Sequence, residues 1–560
     1  MAYEVDDILE ALDEEQREAA LSLHGPTVIL AGAGTGKTRT ITHRIAYGIM
    51  RGDYSEQKVM ALTYTNKAAG ELRGRLRQLG VQSVGAKTFH AAALVQVEYF
   101  WREFFGIEAP RVIESKARAI GSAAETLKIR LDPNTIRDLA SEIEWRKYSL
   151  LSMDQYRDRI SDRPAIAGLA PIRNFEIQEA YESAKVKAKQ VDWEDVLLLC
   201  SGMLKAEPRA LEHVHQQYRF FTVDEYQDIS ALQQDLLDTW LGDRTDLCVV
   251  GDPNQTIYSF TGASASFLEN FESRYPDATK ISLTKNYRST PEIIAVANRV
   301  RGSQNLEPLE AIRPSGAEPI FRGFETKSDE CTWVTEQIAN ALRSGVKASQ
   351  IAVLYRINGQ SEFIETALAE ACIEYQVRGG QRYFNRPEIM SATRLVRAEA
   401  ASPTPRDMYE GVTAIARSLG WQSIAPNATG SELEQWEALN SFVQIAEELP
   451  PGSTMNDFAT ELDERTRSQH EPTKESITLS TIHAAKGLEH KMVFIISANE
   501  GYLPISYAKT EAQVAEEQRL FYVALTRAKD SLSVTWHKTD VNDSRVRTPS
   551  RFINLAQPGF

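Results

Sequence analysis

The 560 residues carry 77 acidic against 63 basic side chains, a net charge of −14, with 42% hydrophobic and 25% charged content. That length exceeds what one hydrophobic core serves and points to about four domains, and the absence of any run of about 18 apolar residues excludes a membrane span. The acidic balance excludes a chain that is basic throughout, so contact with nucleic acid is expected only in local patches and to weaken with salt. Cys200, Cys248, Cys331 and Cys372 lie far apart with no C-x-x-C pair, which argues against a zinc set or a disulfide framework and for a reducing cytosol. The acidic opening "MAYEVDDILEALDEEQ" is unlike a secretory signal.

In chain order, the first strong signal is "PTVILAGAGTGKT". The apolar run Val28-Ile29-Leu30 predicts a strand, and Ile41, Ile45 and Ile49 at helical spacing predict a helix after the loop. Strand, glycine-rich turn and helix start in that order are what a phosphate-binding loop needs, because backbone N–H groups and the helix dipole then face the phosphates. Lys37 is placed to reach the β- and γ-phosphates of ATP and the Thr38 hydroxyl to bind Mg²⁺. Ala31 stands where a first glycine is usual, while Gly32, Gly34 and Gly36 still allow close approach. The region from 96 to 190, with "ESKARAIGSAAETLKIRL" and "EIQEAYESAKVKAK", reads as a helical insertion. Then "YRFFTVDEYQD" predicts a strand ending in Asp224-Glu225. Carboxylates there face the same crevice as the loop, Asp224 for the metal and Glu225 to orient or deprotonate the attacking water.

Beyond 280, "KISLT", "IAVLYR", "ITLSTIH", "MVFIIS" and "SLSVTW" alternate with helical patterns and predict a second α/β core without a phosphate loop. In "EEQRLFYVALTRAK", Leu520, Val523, Ala524 and Arg527 fall on one helical face, so Arg527 either snorkels or reaches into a cleft. Arg288, beside Tyr287 in "NYRST", is a second arginine suited to γ-phosphate charge.

Taken together, "LDEEQREA", "AGAGTGKT", "ALTYTNKAAGEL", "KTFHA", "VDEYQD", "GDPNQTIYSFTGA", "LTKNYRS", "AVLYRIN", "TIHAAKGLEHKMVFI" and "VALTRAK" resemble, in order and over nearly the whole chain, the motifs of UvrD/Rep/PcrA-type superfamily 1 DNA helicases. The resemblance implies an α/β fold of two RecA-like parallel-sheet cores, each with an inserted, mainly helical domain. ATP would lie between the cores and single-stranded DNA across them. The expected divisions are a core 1A over 1–95 and 191–280, an insertion 1B over 96–190, a core 2A over 281–390 and 475–560, and a reduced insertion 2B over 391–474.

By motif, Ala31, Gly32, Ala33, Gly34, Thr35, Gly36, Lys37 and Thr38 would surround the phosphates. Gln16 would read adenine, Tyr287 would stack on it, Arg39 would lie beside the base and Glu489 near the ribose. Gln255 would sense the γ-phosphate, with Arg288 and Arg527 as arginine fingers. For DNA the matching positions are Tyr64, Thr65, Asn66, Thr88, Phe89, His90, Tyr258, Phe260, Arg356, Asn358 and His483. Such a track suits a sequence-blind motor, because every base has a π-face and phosphates take hydroxyl, amide and basic groups; for Phe89 a core role is equally open.

The resemblance further implies 3′ to 5′ movement, single-stranded and 3′-tailed duplex DNA as partners, protein partners in repair or replication restart, a monomer or weak self-association, and a cytoplasmic, nucleoid-associated location. Three departures stand out. The third motif ends "FTGA" where Trp-Arg-Gly-Ala is common, 2B is short, and "WHKTDVNDSRVRTPSRF" has no aromatic between Lys538 and Pro549 where relatives carry a strand-separating hairpin. The last two favour a second reading, a single-strand translocase that strips bound proteins and unwinds poorly alone.

Overall fold

The computed structural model describes residues 5–558 apart from 164–165, 167–168, 303–305, 379–383, 385, 403–406, 424–437, 441, 444, 448, 451, 469–474 and 540–545. Of the segment 536–552, where relatives carry a hairpin, residues 540–545 therefore lie outside the described residues. The chain divides into two compact units: Met1–Arg288 with Arg301–Arg313 and Glu511–Tyr522, and Ser289–Val300 with Pro314–Thr510 and Val523–Phe560. Among the described residues no helix is long and apolar enough to cross a membrane.

The first unit contains β1 (Thr27–Ala31), β2 (Val59–Thr63), β3 (Gly85–Thr88), β4 (Arg111–Val112), β5 (Gln190–Val191), β6 (Phe220–Val223), β7 (Leu247–Gly251), β8 (Thr279–Leu283), β9 (Lys285–Asn286) and β10 (Glu310–Ala311). Six form one parallel sheet in the order β3-β2-β6-β7-β1-β8, while β4 pairs with β5 and β9 with β10. Every residue of β2, β6 and β7 is buried. Continuous burial, rather than alternation, is what a parallel sheet covered by helices on both faces produces.

Between β3 and β6 the chain is largely helical. Helices Lys116–Thr126, Pro133–Tyr148 and Pro171–Ala188 close over Ile120, Leu139, Ile143, Ile177 and Tyr181. A buried ionic cluster ties them to helix Trp193–Ala206: Lys147 Nζ lies 2.6 Å from Asp192 Oδ2 and 2.6 Å from Asp195 Oδ1, and Lys185 Nζ lies 2.7 Å from Asp192 Oδ2. Burial alone would raise the Asp192 carboxyl, but Lys147, Lys185 and Lys116 outweigh it and hold the group far below the usual carboxylate range.

The second unit contains β11 (Ile320–Thr326), β12 (Ile351–Tyr355), β13 (Tyr375–Arg378), β14 (Ile477–Thr481), β15 (His490–Ile495) and β16 (Ala528–Thr539), a second six-stranded parallel sheet in the order β11-β16-β15-β12-β14-β13. Between β13 and β14, helices Pro387–Ala400, Met408–Ser418 and Met455–Ser468 gather around Ile389, Val396, Val412, Phe442, Phe458 and Leu462. The molecule thus has the α/β class read from sequence, two RecA-like parallel-sheet cores each interrupted by helices.

The division into units differs from the sequence-based boundaries in three places, the first being that the first unit runs on to Arg288, past the expected 280. Arg301–Arg313 belongs with the first unit, where Glu310 and Ala311 pair with Lys285 and Asn286. Glu511–Tyr522, the larger part of helix Glu511–Leu525, also belongs there: Arg519 Nε donates to Thr256 O at 2.9 Å and the Ser259 amide donates to Glu516 Oε1 at 3.0 Å.

Candidate nucleotide and nucleic-acid site

The phosphate loop follows β1 and ends at helix Lys37–Met50, whose cap, Gly36, makes no side-chain capping bond. Gly34 and Gly36 have φ of +74° and +85°, a region that side chains rarely adopt, and a Cβ would lie 2.5 Å from Asn286 Nδ2 at the first and 2.7 Å from Gln16 Nε2 at the second. Both neighbours hold the loop. Asn286 Nδ2 donates to Ala33 O at 2.6 Å, Gln16 Nε2 donates to Thr35 O at 2.9 Å, and the Tyr287 amide donates to Gly34 O at 3.0 Å. Gln16, expected to read adenine, thus spends its amide on the loop itself.

Lys37 Nζ lies 3.3 Å from Glu225 Oε1. Burial pulls the Lys37 pKa down, but Glu225, Asp252 and Asp224 pull it up further, so the ammonium is retained. Asp224 moves the other way: burial and the Glu225 charge raise its carboxyl well above the usual range, against the pull of Lys37. A buried carboxyl that is costly to ionise beside a lysine and an uncapped helix start suits a divalent cation carrying phosphates. The donor set Thr38 and Asp224 therefore fits Mg²⁺ with ATP. Glu225 has a left-handed backbone, φ 54° and ψ 42°.

Gln255 is buried, with Nε2 donating to Asp252 Oδ2 at 2.9 Å. The Tyr287 ring is exposed and its hydroxyl donates to Asp13 Oδ2 at 2.5 Å, while the Arg288 amide donates to Asn286 Oδ1 at 3.0 Å. Arg39 donates to Ala11 O. The remaining two nucleotide candidates are in the second unit. Glu489 pairs with Lys529 at 2.5 Å. Helix Glu511–Leu525 ends before Arg527, so that side chain is not on the helical face that the spacing suggested. Arg527 is only 2% exposed and does not snorkel; its Nε donates to Val523 O at 2.9 Å and one terminal nitrogen to Leu488 O at 3.1 Å.

Of the DNA candidates, Tyr64, Tyr258 and Phe260 come together in the first unit. The Tyr64 and Tyr258 rings stack at 5.5 Å and 13°, and Phe260 meets Tyr258 at 6.2 Å. Tyr64 is 39% exposed and Phe260 54%, so both offer faces to solvent. Thr65 and Thr88 cap helices Asn66–Gln78 and Phe89–Phe105, each accepting an amide at 3.1 Å, and Asn66 is exposed at the first helix start. Phe89 corrects the expectation of a stacking platform: its ring is 2% exposed and stacks on Trp240 at 5.9 Å in the core. It begins a helix whose inner face packs beneath the sheet, which leaves no face for a base.

His90 Nε2 lies 3.2 Å from the Tyr148 hydroxyl. Burial, with Lys116 adding, lowers its pKa to about 4. Burial, then Arg356 and Lys486, lowers that of His483 to about 3. Both imidazoles are neutral near pH 7 and can offer phosphates only hydrogen bonds. Arg356 and Asn358 follow β12 in the second unit, the first half-buried and the second exposed, and His483 follows β14. Sequence reasoning passed over Asn286, Asp252 and Gln227, all buried polar residues at the heart of this arrangement. Their signal was adjacency: each sits within two or three positions of a residue singled out for chemistry.

The profile of the UvrD/REP helicase N-terminal domain matches residues 12–276, and that of the UvrD-like helicase C-terminal domain matches 281–400 and 405–539. Among similar proteins, the ATP-dependent DNA helicase UvrD2 of Mycobacterium tuberculosis H37Rv is 39% identical over 583 aligned residues, covering 100% of this chain and 83% of the relative. The ATP-dependent DNA helicase PcrA of Bacillus subtilis 168 is 28% identical, covering 99% and 86%. PcrA of Staphylococcus aureus MRSA252 is 26% identical, covering 98% and 86%. With both profiles matched in order across the chain, phosphate loop and paired acids included, this protein belongs to the UvrD/REP helicase family.

Proposed function

We propose that the chain is a DNA-dependent ATPase that moves 3′ to 5′ along single-stranded DNA and separates 3′-tailed duplex, in DNA repair or replication restart. The observation that carries this reading is the segment from Asp252 to Phe260. Gln255 is buried at one end, and Tyr258 and Phe260 form an open aromatic platform at the other. Only Thr256 and Ile257 separate the γ-phosphate sensor from the first DNA-stacking ring, so a shift at one end is felt at the other.

Bound Mg²⁺ would supply charge neutralisation at the phosphates. The rest falls to side chains. Lys37 exchanges Glu225 for the β- and γ-phosphates, Thr38 and Asp224 hold the metal, and Glu225, freed of its lysine, orients and deprotonates the attacking water. Gln16 and Asn286 keep the loop in its left-handed conformation, and Gln16 reads adenine only by exchanging its bond to Thr35. Arg288 acts on the charge spread over the γ-phosphate, and Arg527 does so only by giving up its bonds to Val523 O and Leu488 O. Tyr64, Tyr258 and Phe260 stack bases without regard to sequence, while Thr65, Thr88, His90, Arg356, Asn358 and His483 serve the backbone.

The single-strand translocase reading is favoured by the short region between β13 and β14 and the lack of an aromatic in 539–548. A fluorescent duplex with a 3′ tail separates the two: strand release in step with ATP turnover supports the helicase, and steady turnover without release supports the translocase.

A further inference from the structure

We propose that Gln227 is a positioning residue that fixes the Glu225 carboxylate to the turn carrying Gln255, an inference that rests on the reading of Glu225 as the water-activating base. Gln227 is 0% exposed. Its Nε2 donates to Glu225 Oε2 at 2.5 Å and lies 3.3 Å from Asp228 Oδ2. Its Oε1 accepts the Asp252 amide at 3.1 Å, and its carbonyl accepts the Thr256 hydroxyl at 3.4 Å. Asp252 Oδ2 in turn accepts Gln255 Nε2 at 2.9 Å. One line of hydrogen bonds therefore runs Glu225, Gln227, Asp252, Gln255, from base to sensor, inside the first unit.

Two features make the amide specific. Glu225 has a left-handed backbone, which a residue with a side chain adopts at a cost and keeps only where its surroundings enforce it. The amide must also donate to a carboxylate at one end and accept a backbone N–H at the other, which a glutamate or an apolar side chain cannot do. Space is tight as well: a Cβ on Gly251 would lie 2.5 Å from Gln227 Oε1. The two carboxylate oxygens of Glu225 have different partners, Oε1 facing Lys37 at 3.3 Å and Oε2 facing Gln227. When Lys37 turns to a phosphate, Gln227 keeps Oε2 in place, and Oε1 is left to take the proton of the attacking water.

The test uses the full chain with a single-stranded oligonucleotide, measuring kcat and KM for ATP, affinity for a non-hydrolysable ATP analogue, and thermal unfolding. Gln227→Met keeps the volume and removes both hydrogen-bonding ends; Gln227→Ala removes the volume too. We expect both to lower kcat by roughly 10- to 100-fold, the size of a displaced catalytic group, with KM and analogue affinity within about threefold of the unaltered protein. Gln227→Met turning over within twofold of the unaltered protein would show that the residue only fills space and would overturn the proposal, as would a loss of analogue affinity that parallels the loss of kcat. Glu225→Gln measured alongside separates the two levels. If it retains turnover, the base reading fails and takes this inference with it; if it is inactive while Gln227→Met is unimpaired, only this inference fails.

Discussion

In the first unit all six strands of the sheet run into candidate site residues at their C-terminal ends. β1 leads to the phosphate loop, β2 to Tyr64, β3 to Thr88 and His90, β6 to Asp224 and Glu225, β7 to Asp252 and Gln255, and β8 to Tyr287 and Arg288. Among the described residues the second unit has the same number of parallel strands, yet only β12 and β14 of these lead to DNA candidates, and none of them is followed by Gly-Lys-Thr. Parallel strands deliver their following loops to one end of a sheet, which is why chemistry collects there. The architecture supplies the place in both units, and loop sequence alone decides which of them handles phosphates.

The largest effect is expected at Lys37 and Glu225. Lys37→Ala or Glu225→Gln should lower ATP turnover by several powers of ten, measured by phosphate release, while Glu225→Gln still binds an ATP analogue. Residual turnover near the normal rate would mean that the second unit, or other residues, performs hydrolysis.

A large structural effect is expected in the helical insertion of the first unit. Lys147→Met leaves Asp192 and Asp195 buried with fewer counter-charges and should cost about 3–5 kcal/mol in urea unfolding. The same cluster gives a pH signature. The depressed Asp192 pKa means its stabilisation is fully present above its ordinary 3.8 and is lost as pH falls below that value. An unfolding free energy unchanged from pH 7 to pH 3 would remove this contribution.

Two phenylalanines sharpen the distinction between platform and core. Phe260→Ala should weaken DNA-stimulated turnover and single-strand affinity by about 1–3 kcal/mol, the stacking energy of a base on a ring, and spare basal hydrolysis. Phe89→Ala should instead destabilise the fold by about 3–5 kcal/mol without a selective effect on DNA. Equal basal and stimulated loss in Phe260→Ala would make that ring structural. The smallest effect concerns the histidines. With His90 and His483 pushed down to about 4 and 3, neither gains a proton between pH 8 and pH 6, and the salt dependence of DNA binding should not steepen over that range. Because their folded pKa values lie below the ordinary 6.5, these groups reduce stability as pH falls through 6.5.

The phosphate loop, the acidic strand end and both sheets were legible because their signals are local: three glycines before Lys37-Thr38, and apolar strands, one of them closed by Asp224-Glu225. Long-range placement was not legible. Phe89 sits between two polar candidates, and only Trp240, far along the chain, decides that its ring is core. Arg527 kept helical spacing in sequence, but its helix stops at Leu525 and the guanidinium folds back onto carbonyl groups. Glu511–Tyr522 reads as part of the second core until its bonds to Thr256 and Ser259 are seen. Gln227 stood unremarked inside "VDEYQD" because nothing in the sequence says that its amide spans from Glu225 to Asp252.

In the proposed function, hydrolysis at Lys37 and Glu225 drives movement of DNA held on the Tyr64, Tyr258 and Phe260 platform. Strand release from paired duplexes, identical except for a 3′ or a 5′ single-stranded tail, tests it most directly when followed with ATP turnover in the same sample. Release is expected from the 3′-tailed duplex, abolished by Glu225→Gln and reduced by Phe260→Ala. Release that favours the 5′ tail, or that continues in Glu225→Gln, would contradict it.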